Sequence, residues 1–396
     1  MTSSDAWRLM PLLLAAACGG GSGSSAPSTS PSDPLPNVLP VSVGGPGCSA
    51  GSYLNKPCVS VTVCVPGTTT CQVVGDLLLD TGSTGLRVFS QVLTLPLPTV
   101  SVGGVPVAEC ISYLDGSSEW GPVVEADVLL GGEPAARVPI QRIDATFGTR
   151  PAACSGADVS PATTGFNGIL GVGNWEQDCG PACTVTNNGI YFTCRAGTTC
   201  TATAVATASQ VQNPVAVLPV DNNGVIVRLP AVPAAGASSL EGQLILGIGT
   251  RSNNVPPSAV RAYPLDGYGE FRTTLGGATV PAFVDTGSNG LFFASPAGAG
   301  LTNCPAPDAG WYCPAALVSL TATNAGAAGT PSAAVAFQVN SLHALGASIN
   351  VSSQVGGSQP AGGAFDWGLP FHLGRDVYLG IEARASSLGA GPLVAY

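Results

Sequence analysis

The fold is decided by Asp76-Leu-Leu-Leu-Asp-Thr-Gly-Ser-Thr-Gly-Leu-Arg-Val-Phe89, which returns in the second half of the chain as Ala282-Phe-Val-Asp-Thr-Gly-Ser-Asn-Gly-Leu-Phe-Phe293. Aligning Asp80 with Asp285 gives Asp-Thr-Gly-Ser-x-Gly-Leu in both copies, with mostly apolar residues before each. An apolar run, a turn of small residues and a second apolar run predict a buried strand, a turn and another strand. Each aspartate is therefore expected where a buried strand ends.

A single Asp-Thr-Gly is often a surface turn, in which the aspartate side chain bonds the nearby backbone. Two matched copies favour a shared function over that interpretation. A carboxylate at the end of a buried strand is partly removed from water and needs hydrogen-bond donors. The residues after each aspartate can supply hydroxyl and backbone N–H donors; they are Thr81, Gly82 and Ser83 in the first copy and Thr286, Gly287 and Ser288 in the second.

These motifs resemble those of the pepsin-like aspartic proteases, bilobal enzymes in which each lobe donates one Asp-Thr-Gly. Four further parts of the chain are similar to family segments in order and approximate spacing: the flap hairpin with the strand after it (residues 111–117 and 126–132), the first apolar-Gly segment (166–171), the strand that opens the second lobe (242–249) and the closing apolar-Gly segment (367–374). The resemblance covers most of the chain and is strongest to bacterial lipoprotein members of the superfamily. It implies an all-β, bilobal pepsin-like fold with two pseudo-symmetric lobes and a central cleft.

Composition agrees with a chain of many short strands in two domains. The 396 residues are 45% apolar and only 9% charged, with 53 glycines and 34 prolines. Apolar runs on both sides of Asn222-Asn-Gly224 predict a hairpin turn. We place the lobe boundary there, with an N-terminal lobe over residues 37–220 and a C-terminal lobe over 221–396. The net charge of −10 argues against nucleic acid or an anionic membrane surface as a partner.

The N-terminal residues predict export. Residues 1–17 contain one arginine, a short apolar run and small residues that end at Cys18, which is typical of a signal peptide. Small residues directly before Cys18 resemble a bacterial lipobox, so we expect this cysteine to be lipidated; the alternative is an ordinary signal cleaved near Ala17. Residues 18–36 are rich in Gly, Ser and Pro and predict a flexible tether. The predicted location is the bacterial cell envelope, with a lipid anchor and a periplasmic or surface-facing body.

The cysteines indicate an oxidising compartment. Twelve of the 13 cysteines remain after Cys18, an even number that suits disulfides. We predict two pairs between neighbours, Cys64 with Cys71 and Cys304 with Cys313, and a disulfide-clipped insertion over residues 176–210. A zinc site at Cys179, Cys183, Cys194 and Cys200 is the weaker interpretation, because no histidine lies nearby in the sequence.

The resemblance also implies a chemistry. Asp80 and Asp285 would share one proton and activate a water by general base and general acid catalysis. The two threonines would lock the motif loops together, the two glycines would present N–H groups, and the two serines would bond the outer carboxylate oxygens. No cofactor or metal is expected, and the predicted protein is a monomer that binds an extended peptide or protein substrate.

The predicted flap lies around Tyr113. Tyr113 matches the flap tyrosine of the family, with Gly116 and Ser117 at the tip; the alternative is a cross-strand core aromatic. Trp120 could reinforce the hairpin or face the cleft. Arg87 stands where the family often has a tryptophan that braces the flap tyrosine. A cation there could depress the pKa values of the aspartates if it pointed toward them.

Other catalytic schemes lack their residues. The chain has two histidines, His343 and His372, and neither a Gly-x-Ser-x-Gly nor a His-Glu-x-x-His motif. We therefore predict an exported aspartic endopeptidase. The alternative is a non-catalytic envelope binding protein that holds a peptide or polysaccharide in the same cleft. A purely structural envelope lipoprotein would leave the two matched aspartates unexplained.

Overall fold

The computed structural model describes residues 35–45, 47–48, 53–195 and 200–396. The predicted signal peptide, Cys18 and nearly all of the predicted tether lie outside the described residues. The described chain is mostly strand, as the composition predicts. Its helices are single turns of three or four residues.

The strands up to the middle of the chain carry the first motif, the predicted flap and the predicted insertion over residues 176–210. They are β1 Val38–Val43, β2 Pro57–Cys64, β3 Cys71–Asp80, β4 Thr84–Phe89, β5 Ser101–Val102, β6 Val105–Ser112, β7 Ser118–Leu130, β8 Glu133–Ile143, β9 Gly168–Val172, β10 Tyr191–Cys194 and β11 Cys200–Ala202.

The remaining strands carry the second motif and the C-terminus. They are β12 Gly224–Leu229, β13 Leu240–Leu246, β14 Ala262–Pro264, β15 Phe271–Leu275, β16 Ala278–Asp285, β17 Leu291–Phe293, β18 Val318–Ala325, β19 Ser332–Val339, β20 Gly356–Ser358, β21 Phe365–Gly368, β22 Arg375–Gly380, β23 Ala385–Ser386, β24 Gly389–Ala390 and β25 Leu393–Ala395. The helices are α1 Pro161–Thr164, α2 Ala182–Val185 and α3 Leu369–His372, with 3-10 turns at Ala152–Cys154, Thr207–Ser209, Pro214–Val217 and Leu342–Ala344.

The strands form two large sheets and one small one. The largest sheet has the order β11-β10-β6-β7-β8-β4-β9-β3-β2-β1-β13-β12-β22-β25-β14, with β5 attached to β6 and a further pairing between β7 and β2. A seven-stranded sheet has the order β19-β18-β15-β16-β21-β17-β20, and β23 pairs with β24. Because β1 pairs with both β2 and β13, the largest sheet joins strands from both halves of the chain. The first motif lies in this sheet and the second in the seven-stranded sheet.

Both motifs are built on the same strand pattern. The strand that ends in Asp80 runs parallel to β9, with Asp80 beside Gly171, and β4 returns antiparallel to β9. The strand that ends in Asp285 runs parallel to β21, with Asp285 beside Gly368, and β17 returns antiparallel to β21. The crossing strand thus lies between the two strands of each motif.

The glycine at each crossing is required by the close approach of the neighbouring backbone. A Cβ on Gly171 would lie 2.8 Å from the backbone nitrogen of Thr84, and one on Gly368 would lie 2.0 Å from the carbonyl oxygen of Gly290. Both positions therefore exclude any side chain. This explains the glycine that ends each crossing segment.

The core covers both faces of the motif strands. Leu77, Leu79 and Val284 are buried, and the burial of β3 is continuous from Asp76 to Asp80. Continuous burial explains why the residues before Asp80 are all leucines and do not alternate with polar ones. No helix in the described part of the chain is long and apolar enough to cross a membrane.

Six disulfides join the twelve described cysteines. The predicted pairs Cys64–Cys71 and Cys304–Cys313 are confirmed; the other four are Cys48–Cys58, Cys110–Cys154, Cys179–Cys183 and Cys194–Cys200. The four cysteines considered for zinc are thus oxidised in two local pairs within the insertion. Such a set of disulfides indicates an oxidising, exported compartment.

One local prediction is wrong. The run before Asn222 is not the first strand of a hairpin: residues 214–217 form a 3-10 turn, capped by the Asn213 side chain, which accepts from the backbone N–H of Val215 at 3.1 Å. In the closing apolar-Gly segment, the strand covers Phe365–Gly368 and places Gly368 beside Asp285. Proline within residues 369–372 starts a helical turn there instead of continuing the strand.

Candidate active site

The two strand ends bring the carboxylates of Asp80 and Asp285 together. A Cβ on Gly82 would lie 2.7 Å from the Asp285 carboxyl carbon, and a Cβ on Gly287 would lie 2.8 Å from Asp80 Oδ1. Each motif glycine therefore leaves room for the aspartate of the other motif. The two carboxyl groups therefore act on each other through their charges.

Each carboxylate is held by its own loop in the same way. The backbone N–H of Gly82 donates to Asp80 Oδ1 at 2.8 Å, and the Ser83 hydroxyl donates to Asp80 Oδ2. In the second motif, the Gly287 N–H donates to Asp285 Oδ1 at 2.7 Å, and the Ser288 hydroxyl donates to Asp285 Oδ2, also at 2.7 Å. Both side chains are thereby fixed in orientation.

The two threonines lock the loops to each other. The backbone N–H of Thr81 donates to Thr286 Oγ1 at 3.1 Å, and the N–H of Thr286 donates to Thr81 Oγ1 at 2.9 Å. Each hydroxyl then donates to a strand carbonyl of the other motif, Thr81 to Val284 at 3.2 Å and Thr286 to Leu79 at 2.6 Å. This buried four-bond lock sets the distance between the carboxylates.

The pair is arranged to hold a proton. Burial and the charge of Asp285 raise the pKa of Asp80 well above its ordinary value, while the bonds from Ser83 and Gly82 oppose the shift. Two carboxyl groups in contact cannot both ionise at low cost. One shared proton satisfies both groups, and that proton belongs to the pair rather than to one residue.

Tyr113 lies at the base of the turn that joins β6 and β7. Its N–H donates to the Ser117 carbonyl at 2.9 Å, and Ser117 in turn bonds Asp115 through its N–H (2.8 Å) and its hydroxyl (2.6 Å). Gly116 has a φ of +87°, which suits the tight turn. Gly116 and Ser117 thus shape the turn itself.

The tyrosine hydroxyl donates to Glu119 Oε2 at 3.0 Å. Burial, Glu119 and, more weakly, Asp80 raise the pKa of Tyr113 well above its ordinary value, so the phenol lies within electrostatic range of Asp80. Trp120, two strand positions beyond the turn, is fully buried and donates from Nε1 to the Phe147 carbonyl at 2.8 Å. Its position reinforces the underside of the hairpin.

Arg87 turns to buried acids next to the flap. Its guanidinium donates to Glu109 at 2.8 Å, to Asp178 at 2.9 Å and to the Thr84 carbonyl at 2.6 Å, and its Nε lies 3.8 Å from Glu119. The three carboxylates surround one cation that is itself fully buried. Arg87 therefore points toward these three acids and not toward Asp80 and Asp285, where it could have lowered their pKa values.

Two residues near the pair were not predicted. Burial, then Asp80 and then Asp285, raise the pKa of the half-buried Tyr53. Burial and Asp285 raise the pKa of Asp366 well above its ordinary value. No sequence pattern around Tyr53 indicates that it lies near the aspartates. The acid two residues before Gly368 was visible as the one charged residue in an apolar crossing segment.

The histidines take no part in this arrangement. His372 is buried behind the second motif, where burial lowers its pKa to about 3. His343 contacts Asp308 at 2.9 Å on the surface.

The comparisons with known proteins support the fold and a family. A search of curated proteins finds no match. Among solved structures, the aspartic proteinase from Irpex lacteus superposes with a TM-score of 0.51 and 17% sequence identity, over 90% of this chain and 96% of that one. At this identity the likeness shows a pepsin-like fold and no more. A family model described as a protein of unknown function, DUF3443, matches residues 34–396. The chain therefore belongs to the DUF3443 family, and its fold is that of the pepsin-like aspartic proteinases.

Proposed function

We propose that this protein is an exported aspartic endopeptidase that hydrolyses peptide bonds with the Asp80–Asp285 pair. The observation that carries the proposal is the reciprocal geometry of the two motifs. Each carboxylate is bonded by its own glycine and serine, and each glycine leaves room for the opposite carboxylate. A binding protein has no need for two acids that matched donors hold side by side.

The reaction follows from that proton. The ionised member of the pair removes a proton from a water molecule, which attacks the scissile carbonyl carbon, while the protonated member donates to the carbonyl oxygen. As the tetrahedral intermediate breaks down, the carboxyl group that took the proton from water gives it to the leaving amine, and the other carboxylate takes a proton back from a hydroxyl of the intermediate. The pair thus ends the cycle with one proton, as it began. Because water itself is the nucleophile, no covalent intermediate forms, and no cofactor is needed.

The substrate is an extended peptide in the cleft between the proposed lobes, residues 37–220 and 221–396. A strand-like peptide would bind through main-chain hydrogen bonds, with alternate side chains in pockets. The turn of Tyr113, Gly116 and Ser117 would cover it and exclude water. The protein acts as a monomer, since one chain supplies both aspartates.

The first test is cleavage of a mixed peptide library between about pH 3 and pH 7, with wild type beside Asp285→Asn. Asp308→Asn is the matched control, because Asp308 is an exposed aspartate that contacts His343. We expect acid-favoured cleavage in wild type and in the control, blocked by a statine-type transition-state mimic and lost in Asp285→Asn. Cleavage that persists in Asp285→Asn would contradict the mechanism. No cleavage at any pH by folded, disulfide-bonded wild type would favour the alternative, a peptide- or polysaccharide-binding protein.

The proposed location has its own test. We propose that Cys18 is lipidated and becomes the N-terminus, so that residues 18–36 tether the body to a bacterial envelope membrane. Mass spectrometry of the mature protein should find a diacylglycerol-modified Cys18. Cys18→Ala should move the protein from the membrane fraction to the soluble fraction. An unmodified mature chain that starts after Ala17 would support an ordinary signal peptide instead.

A further inference from the structure

The flap turn is tied from below to a buried glutamate. Glu119 lies on β7, next to the turn, and is fully buried. The Tyr113 hydroxyl donates to Glu119 Oε2 at 3.0 Å. Tyr113 is thereby joined through its side chain to the strand below the turn, in addition to the backbone bond from its N–H to Ser117.

Glu119 faces charged groups from several elements. Arg87 Nε on β4 lies 3.8 Å away, and Glu109 on β6 and Asp158 in the following loop act on the same carboxyl group through their charges. Arg87 lies on β4, the strand that follows the first motif a few residues after Asp80. The cluster therefore connects the flap tyrosine to the backbone that carries the first aspartate.

The guanidinium cannot move freely. Glu109 and Asp178 hold it by hydrogen bonds of 2.8 and 2.9 Å, and Asp178 also accepts from the Tyr191 hydroxyl at 2.6 Å. Asp178 precedes the Cys179–Cys183 disulfide, which restrains the loop that carries it. Arg87 is thus a fixed support beside Glu119.

The hydrogen bond from Tyr113 to Glu119 is expected to persist at acid pH. Burial raises the pKa of Glu119 to about 8, opposed by Arg87 and by the Tyr113 hydroxyl and assisted by Glu109 and Asp158. Below pH 8 this carboxyl is therefore mainly neutral, and its oxygen still accepts from the phenol. The same bond is present at every pH at which an acid protease would work.

We propose that Glu119 is a positioning residue that fixes the Tyr113 side chain at the base of the flap turn, with Arg87 as the support that fixes Glu119. This role for Tyr113 rests on the proposed function. It assigns to an acid and a cation the bracing that the related enzymes often obtain from a tryptophan at the position of Arg87. Neither residue touches the substrate; both act through Tyr113.

The test that needs no activity is hydrogen exchange of the flap. The backbone N–H groups of Tyr113 and Gly116 are bonded within the turn, so their exchange reports whether the turn holds its shape. We expect Glu119→Ala to exchange both amides at least about tenfold faster than wild type. Glu119→Gln, which keeps a neutral acceptor of the same size, should exchange slowly. Glu125→Ala, a matched change on the same strand at a residue paired with Arg137, should also exchange slowly.

A second variant covers the case in which Glu119→Ala does not fold. Tyr113→Phe removes only the hydroxyl and leaves the buried cluster intact, and it should speed exchange of the same two amides. Slow exchange in both Tyr113→Phe and Glu119→Ala would overturn the proposal. Fast exchange in Glu119→Gln and Glu125→Ala alike would do the same, since it would show a general loss of stability rather than a lost contact.

Activity separates this proposal from the proposed function. Once a cleaved peptide is known, Glu119→Ala should lower kcat/KM about tenfold in the wild-type background but by less than about twofold in Tyr113→Phe, because the effect passes through the lost hydroxyl. Equal losses in the two backgrounds would assign Glu119 a purely structural role. If no peptide is cleaved, the exchange results still decide the positioning of the flap, while the proposed function fails on its own test.

Discussion

The two motifs share a backbone and differ in where each places a buried charge. On the strand that leaves the motif, the first half has Arg87 and the second half has Phe292 at the matching position. On the crossing strand, Arg87 lies opposite Ile169, whereas Phe292 lies opposite Asp366. The first half therefore buries a cation with three acids, and the second buries a single acid beside Asp285.

This difference separates what the carboxylate pair requires from what each half adds. The bonds of glycine, serine and threonine are reciprocal in both halves, because the pair needs two equivalent supports. The matching positions Arg87 and Phe292, on the strands that follow the motifs, do not bond the carboxylate pair and are therefore free to differ. In the second half it is a ring that packs on Trp311 at 5.2 Å. In the first half, next to the flap, it is the centre of an ionic cluster.

The largest effect is expected for Arg87→Phe, which gives the first half the aromatic side chain that the second half has at Phe292. Glu109, Asp178 and Glu119 would lose the guanidinium that lies beside all three, and breaking a buried ion pair in this way costs about 3–5 kcal/mol. The free energy of unfolding, from urea titration at pH 7, should fall by that amount. The loss should be smaller at pH 4, where the unfolded carboxyls also bind protons. The control Arg137→Ala, at an exposed pair with Glu125, should cost less than about 1 kcal/mol. Equal losses for the two variants would contradict the cluster.

The raised pKa of Glu119 in this cluster predicts how stability changes with pH. Because the folded pKa of Glu119 is about 8 and its ordinary value is 4.5, the folded state binds one more proton than the unfolded state between these pH values. The free energy of unfolding of wild type should therefore fall as pH rises through this window, by up to about 1.4 kcal/mol per pH unit from this group.

Glu119→Gln should remove that contribution, because its amide does not titrate. The measurement is the difference between the stability–pH curves of wild type and Glu119→Gln at pH 5, 6, 7 and 8, so that other buried acids cancel. Parallel curves would show that the pKa of Glu119 in the folded protein is close to its ordinary value, which would contradict the prediction.

The part that the halves share is tested with Thr81→Val and Thr286→Val. Each change leaves a buried backbone N–H of the other threonine without its acceptor, at a cost of about 1–3 kcal/mol. The two losses should agree within about 0.5 kcal/mol, because the bonds are reciprocal. Thermal or urea unfolding at one pH is sufficient. A large loss in one variant with none in the other would contradict an equal lock.

The smallest effect is expected at Phe292→Leu. The ring is half-buried and its main aromatic contact is with Trp311, so the loss should be about 0.5–1.5 kcal/mol. Comparison with Arg87→Phe measures how different the matching positions are. A loss above about 3 kcal/mol would show that the second half also depends on this position.

The motif pair could be predicted from sequence because its geometry is local and repeated. Asp-Thr-Gly-Ser after an apolar run specifies a strand end and its donors, and the repeat specifies a partner. The disulfides of Cys64 with Cys71 and of Cys304 with Cys313 were predictable for the same reason, since each closes a short loop.

What depends on distant partners could not be predicted. The direction of Arg87 is set by Glu109 and Asp178, which no spacing rule connects to the motif. The apolar run after Asn213 was too short to distinguish a strand from a helical turn, and the side chain of Asn213 decided for the turn.

The central claim is that Asp80 and Asp285 act as one proton-sharing unit. The most direct measurement is kcat/KM on the best cleaved peptide at its optimal pH for Asp80→Asn, Asp285→Asn and the double variant. Either single change should lower kcat/KM by about a thousandfold or more, and the double variant should be no worse than the singles, because groups that work as a unit are not additive. Losses that multiply in the double variant, or a single variant that keeps wild-type activity, would contradict the account.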